Sequence, residues 1–181
     1  MKILIKTADA IDALIDRIGW FAAAVTLAMV LLISGNTLGR YFFNVSTIWL
    51  QELEWHLLAL IAFLGLSYMQ LRGVPVRVDM FHQNFSERTK LWMDFGTALL
   101  VMLPFSLFIC VLGWRFAMHS FAVGEVSPDP GGLPMRWIVK SLVIVGYALL
   151  ALVAIGTVIR CGAQLARPQL ARHEPGGSHG Q

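Results

Sequence analysis

The sequence predicts an all-α integral membrane protein: four transmembrane helices, both termini cytoplasmic, and an amphipathic helix ahead of the first span. Three observations carry that expectation. Hydrophobic residues make up 57% of the 181-residue chain and charged residues only 14%, with a mean hydropathy of +0.67, whereas soluble chains are about a quarter charged. Four apolar stretches reach the roughly 17–25 residues that a membrane helix requires. All six tryptophans (Trp20, Trp49, Trp55, Trp92, Trp114 and Trp137) fall at or just outside the ends of those stretches, where an amphipathic indole prefers the headgroup region.

The same composition removes other classes. Two cysteines and dominant apolar runs exclude a disulfide scaffold, a collagen and a disordered chain. The net charge of +3 is no sign of nucleic-acid binding, because the basic residues gather in short loops between apolar runs, where they set membrane orientation.

In chain order, residues 1–17 read as a cytoplasmic amphipathic helix. Ile11, Leu14, Ile15 and Ile18 share one face, with Asp9, Asp12 and Asp16 on another, so this segment is expected to lie along the membrane surface before turning into the first span. Those aspartates and the length of the following apolar run argue against a cleaved signal peptide. A single four-helix membrane domain then covers 18–160, with spans at about 18–39, 55–71, 95–114 and 141–159. No period-2 alternation suggests barrel strands. Between the first two spans, Asn44 and Ser46 supply turn and cap chemistry, and Trp49, Leu53, Leu57 and Leu60 recur at helical spacing, predicting a helix that enters the second span from the outer interface. The third loop carries Ser127-Pro128-Asp129-Pro130-Gly131-Gly132-Leu133-Pro134, whose prolines and glycines predict a fixed turn, with Pro134 and Met135 opening the next helix. Residues 161–181 form a cytoplasmic tail, expected to be disordered from about 168.

Orientation follows from the Lys and Arg residues. Lys2, Lys6, Arg17, Arg72, Arg77, Arg88, Lys90, Arg160, Arg167 and Arg172 lie on one side, against Arg40, Arg115, Arg136 and Lys140 on the other. That excess places both termini in the cytoplasm.

Chemistry inside the spans is thin. No Asp, Glu, Lys, Arg or His falls near mid-membrane, and ion or proton pathways need such groups or broken helices. No nucleophile motif, phosphate-cradling loop or metal-ligand spacing appears, so the chain reads as a non-enzyme without cofactor or metal. Cys110 and Cys161 fall roughly 20 Å apart in depth by helical rise, too far to bond. His56 and His119 both sit on the outer side and read as interfacial polar residues hydrogen-bonded locally. The alternative makes them the ligands of a b-type cytochrome anchor. Gly35 and Gly39 match the GxxxG helix-packing pattern. Arg40 ends the first span and Glu52 begins the second, so a short reversal would let them pair at the outer boundary.

Several segments together carry a family resemblance: Arg40-Tyr41-Phe42-Phe43, Trp49 with Glu52, Phe63-Leu64-Gly65, Arg77-Val78-Asp79, the basic loop with Ser86 and Arg88, and the Ser127–Pro134 loop. In their order and spacing the chain resembles the small membrane subunit (DctQ-like) of a tripartite ATP-independent periplasmic (TRAP) transporter. One departure is Pro75, which stands where such subunits commonly carry a histidine. The resemblance implies a non-catalytic permease subunit in the bacterial inner membrane. Its partners would be a large membrane subunit holding the sodium and substrate sites, a periplasmic solute-binding protein delivering an organic acid, and membrane lipid. It also implies that Gly35, Gly39, Arg40, Tyr41, Trp49 and Glu52 face the large subunit and that Ser127, Pro128, Asp129 and Pro130 help dock the binding protein.

Overall fold

The computed structural model describes residues 2–43, 47–73 and 85–166. The Asn44 and Ser46 turn, Arg77-Val78-Asp79 with Pro75, and the tail from 168 lie outside them. Among the described residues the fold is all-α, with four helices: α1 (Lys2–Phe43), α2 (Ile48–Leu71), α3 (Glu87–Ala122) and α4 (Trp137–Leu165). Each is long and apolar enough to cross a membrane, and each contains one predicted span.

α4 packs against each of the other helices; α1 and α2 complete a three-helix cluster with it, and α3 flanks α4. The core is built from Ile15 and Ala22 of α1, Leu64 of α2, and Leu149 and Val153 of α4. Much else that is large and apolar, from Leu27 and Leu31 to Leu100 and Phe108, stays exposed on the outside, as expected when lipid rather than water covers the surface. α3 is not uniform. Residues Thr97–Met102 are π-helical, with the Leu103 N–H donating to the Ala98 carbonyl. Pro104 follows directly; it cannot donate to the carbonyl four residues back and its ring pushes that carbonyl away, so the preceding turn widens.

Polar links between helices fall at two levels. At the end holding both Lys2 and Leu165, here the proximal end, Arg72 pairs with Asp16 at 2.7 Å and stacks over the Tyr68 ring. Arg160 pairs with Asp12 and donates to the Ala8 carbonyl at 3.0 Å. At the opposite, distal end the Asn36 amide donates to Glu54 at 2.9 Å, and Lys140 pairs with Glu125. At 1.5 Å per residue, the stretches 16–36, 54–72 and 140–160 each span about 27–30 Å, the thickness of a bilayer's hydrocarbon core. The ion pairs and polar contacts thus mark the two membrane boundaries.

Two expectations are corrected here. Residues 2–17 do not turn from a surface helix into the first span: α1 is one helix of 42 residues, about 63 Å long and twice the thickness of the core. Its apolar face is covered by protein, with Ala8 and Ile15 fully buried and Ile11 and Ile18 packed against the core, while Asp12 and Asp16 meet arginines. Nor does the fourth helix open at Pro134 and Met135. Met135 takes a left-handed φ of 65°, which a helix cannot continue, so α4 begins at Trp137.

The Arg160–Asp12 link supports a first expected result. Its side chains are 35% and 27% exposed, between a surface pair and a buried one. Arg160→Met, which strands Asp12, should cost about 1–3 kcal/mol, and adding Asp12→Asn should recover part of it. Thermal unfolding of both single variants and the double in detergent measures the coupling; strictly additive losses would show that the pair does not hold α1 to α4.

Candidate functional site

The distal end gathers most of the polar chemistry in the described residues, and Glu52 is at its centre. Glu52 lies on the first turns of α2, whose N-cap Thr47 makes no side-chain cap. Its carboxylate reaches across to the loop that joins α3 to α4. One oxygen accepts from the Ser127 hydroxyl and the other from the Leu133 backbone N–H. Ser127 Oγ in turn accepts from the Asp129 N–H at 3.1 Å. Between these anchors the chain reverses in a tight turn: the Gly132 N–H donates to the Asp129 carbonyl at 3.0 Å, with Pro130 and Gly131 as its central residues and Gly131 at φ 83°. Proline first and a positive-φ glycine second are what a type II turn requires.

Gly132 is needed for a different reason. A Cβ there would collide with Ser127 Oγ and lie 2.7 Å from Glu52 Oε2, inside the carboxylate's own hydrogen-bonded space. The loop's composition therefore serves one end: it lets a single carboxylate hold both sides of a turn whose tip, Pro128, Asp129 and Pro130, stays exposed.

Neighbouring groups complete the site. His56 Nδ1 lies 2.6 Å from the Glu52 carbonyl; a carbonyl only accepts, so the proton sits on Nδ1 and Nε2 is left free. Glu125 is bound by Lys140, whose ammonium holds the carboxyl below its usual range. Lys140 also sits 4.2 Å above the Phe116 ring.

The predicted site residues separate into two groups. Glu52 and Ser127, assigned from sequence to different roles, are in contact. Arg40 and Glu52 are not a pair: Arg40 is exposed in the last turn of α1, where a cation suits the helix dipole, and makes no ion pair among the described residues. The reason is competition, since Glu52 already has two donors in the loop. Tyr41, Phe42 and Phe43 follow Arg40 at 77–80% exposure, Trp49 is 45% exposed, and nothing comes within 4 Å of a Cβ placed on Gly35 or Gly39. These residues together form an open apolar face at the distal half of α1. His119 is exposed on α3 and lines neither of the clefts that His56 lines.

Sequence reasoning missed Gly132, the Leu133 N–H and the Asn36–Glu54 bond. A signal for the first two existed: a carboxylate at the membrane boundary must find donors, and the Pro- and Gly-rich loop on that side offers them.

A family model for the DctQ component of tripartite ATP-independent periplasmic transporters matches residues 29–163. No curated protein and no solved structure matches the chain.

Proposed function

The chain belongs to the DctQ family of tripartite ATP-independent periplasmic transporter components, and on that premise we propose that it is the non-catalytic small subunit of a sodium-coupled organic-acid importer. Its work is to brace the large membrane subunit in the bacterial inner membrane and to help dock the periplasmic binding protein. The orientation is termini in, distal loop out, as the basic-residue excess of the proximal end supports.

One observation carries the bracing role: away from the Asn36 contact with α2, the distal half of α1 presents a small-residue face with no neighbour among the described residues. Gly35 and Gly39 stand one turn apart with open space where their side chains would be, and Tyr41, Phe42 and Phe43 extend the face outward. Small residues let a partner helix approach closely in a membrane, where association depends on packing rather than on expulsion of water. The docking role rests on the exposed Pro128–Pro130 tip, prepositioned by Glu52. A held turn loses less entropy on binding than a free loop. The haem-anchor alternative has nothing further in its favour, since His119 lines neither cleft that His56 lines and the family match points elsewhere.

The test uses Gly35→Leu and Gly39→Leu. Because both positions are open within the chain, each variant should insert and unfold as wild type does. Copurification of the large subunit should nevertheless fall several-fold, as should substrate uptake. Wild-type recovery of the partner with both leucines present would place the interface on another face.

A further inference from the structure

A second feature of the distal end is used by neither the loop contacts nor the α1 face. Arg136 is half-buried at the start of α4, and its guanidinium makes no hydrogen bond or ion pair among the described residues. Glu52 and Glu125 attract it at longer range, and Asp129 lines a neighbouring cleft with it, but Glu52 is hydrogen-bonded to Ser127 and Leu133 and Glu125 is paired with Lys140. Five planar donors are thus left facing a cleft, an arrangement matched to a phosphate or carboxylate.

The cleft has a definite shape. Trp55, His56, Phe116, Arg136, Val139 and Lys140 line it. Trp55 is 69% and Phe116 53% exposed, so α2 supplies one aromatic wall and α3 the other. These two helices are held together chiefly through α4 and not by each other, which leaves a groove along the α4 face between them. Arg136, Lys140 and Tyr147 follow that face at helical spacing. Deeper in, the groove is closed where Tyr147 meets Phe63 at 6.0–6.5 Å on one side and Phe105 on the other. The opening lies at the membrane boundary marked by Lys140, and the closure about 10 Å further into the bilayer by helical rise.

A mouth carrying an arginine without a hydrogen-bonded partner, at headgroup depth above an aromatic-walled, apolar groove, has the polarity of a phospholipid. We propose that this groove binds an anionic phospholipid of the distal leaflet, its phosphodiester on Arg136 and an acyl chain between α2 and α3 down to Tyr147. The headgroup is hydroxyl-bearing, as in phosphatidylglycerol. The free His56 Nε2 accepts from a hydroxyl, whereas a choline group would sit against Arg136 and Lys140. A bound lipid supplies the direct ion pair that no carboxylate of the described residues makes with Arg136 and fills the space that α2 and α3 leave open.

The test is native mass spectrometry of the full chain released from phosphatidylcholine discs doped with phosphatidylglycerol. Wild type should retain phosphatidylglycerol in preference to phosphatidylcholine. Arg136→Gln should lower that retention about tenfold, the loss of a charge-assisted contact; Arg136→Lys should keep most of it. Arg115→Gln, at an exposed cation elsewhere on the distal end, should change nothing. Since the Arg136 side chain makes no hydrogen bond or ion pair among the described residues, its replacement breaks no direct contact, and the wild-type lipid preference needs no variant at all. The proposal is overturned by equal retention of the two lipids, by unchanged retention in Arg136→Gln, or by equal losses in Arg115→Gln. Stabilisation by inorganic phosphate in detergent matching that by phosphatidylglycerol would overturn it too, as it would make this a site for free anions.

Discussion

Gly146→Leu should separate α2 from α4 and prevent stable folding, and even Gly146→Ala should cost about 1–3 kcal/mol as an overpacked contact. At Gly146 an added Cβ would lie 2.7 Å from Phe63 Cβ, 2.9 Å from its carbonyl oxygen and 3.1 Å from its Cα. Two of those three atoms are backbone, so no rotamer change relieves the clash; the helices themselves must part. That would disturb the Phe63–Tyr147–Phe105 aromatic contacts and loosen the cluster in which Leu64, Leu149 and Val153 are buried. Gly65 provides the control, being on α2 with nothing within 4 Å of a Cβ. Gly65→Ala should be neutral or stabilising, since alanine is the better helix former by about 1 kcal/mol. Unfolding midpoints of the two alanine variants in the same detergent decide the matter; equal midpoints would mean that α2 and α4 are not in the close contact described.

Glu52→Ala should release the distal loop and abolish uptake while leaving membrane insertion and copurification of the large subunit intact. Removing the carboxylate strips the Ser127 hydroxyl and the Leu133 N–H of their acceptor, and among the described residues no other hydrogen bond ties the turn to α2. Cleavage within 123–136 by an added protease should accelerate about tenfold, because local opening then sets the rate. Glu52→Gln keeps one acceptor oxygen and should fall between. Ser127→Ala also strands the Asp129 N–H, so it should resemble Glu52→Ala more than Glu52→Gln. The separation of effects is the informative part. Were Glu52→Ala to lose the large subunit while the loop stayed resistant to protease, Glu52 would belong to the subunit interface and not to the turn.

Glu52 illustrates how far sequence carries. Its position at a span end shows that it lies at the boundary and needs partners. The identity of the partner is another matter: Arg40 is nearest along the chain among cations, whereas Ser127 lies 75 residues away. Proximity along the chain favours the wrong partner because it ignores the competition among donors that the fold brings together. The first helix teaches the same lesson. Aspartates opposite a row of isoleucines read as a surface amphipath, since water and protein arginines satisfy a carboxylate alike and are indistinguishable until α2 and α4 are placed.

By itself the sequence determined the all-α class, the number of helices long and apolar enough to span a membrane, and the kinship with transporter small subunits. Those properties rest on local quantities: a backbone in lipid must satisfy its own hydrogen bonds, so twenty apolar residues form a helix wherever they occur. The tertiary structure alone decided that α1 runs unbroken, that Glu52 holds the loop, that Gly146 is crowded while Gly35 and Gly39 are open, and that Arg136 makes no hydrogen bond or ion pair among the described residues. Each of those depends on which helix faces meet, and four similarly apolar helices encode their mutual faces only through contacts between residues far apart in the chain.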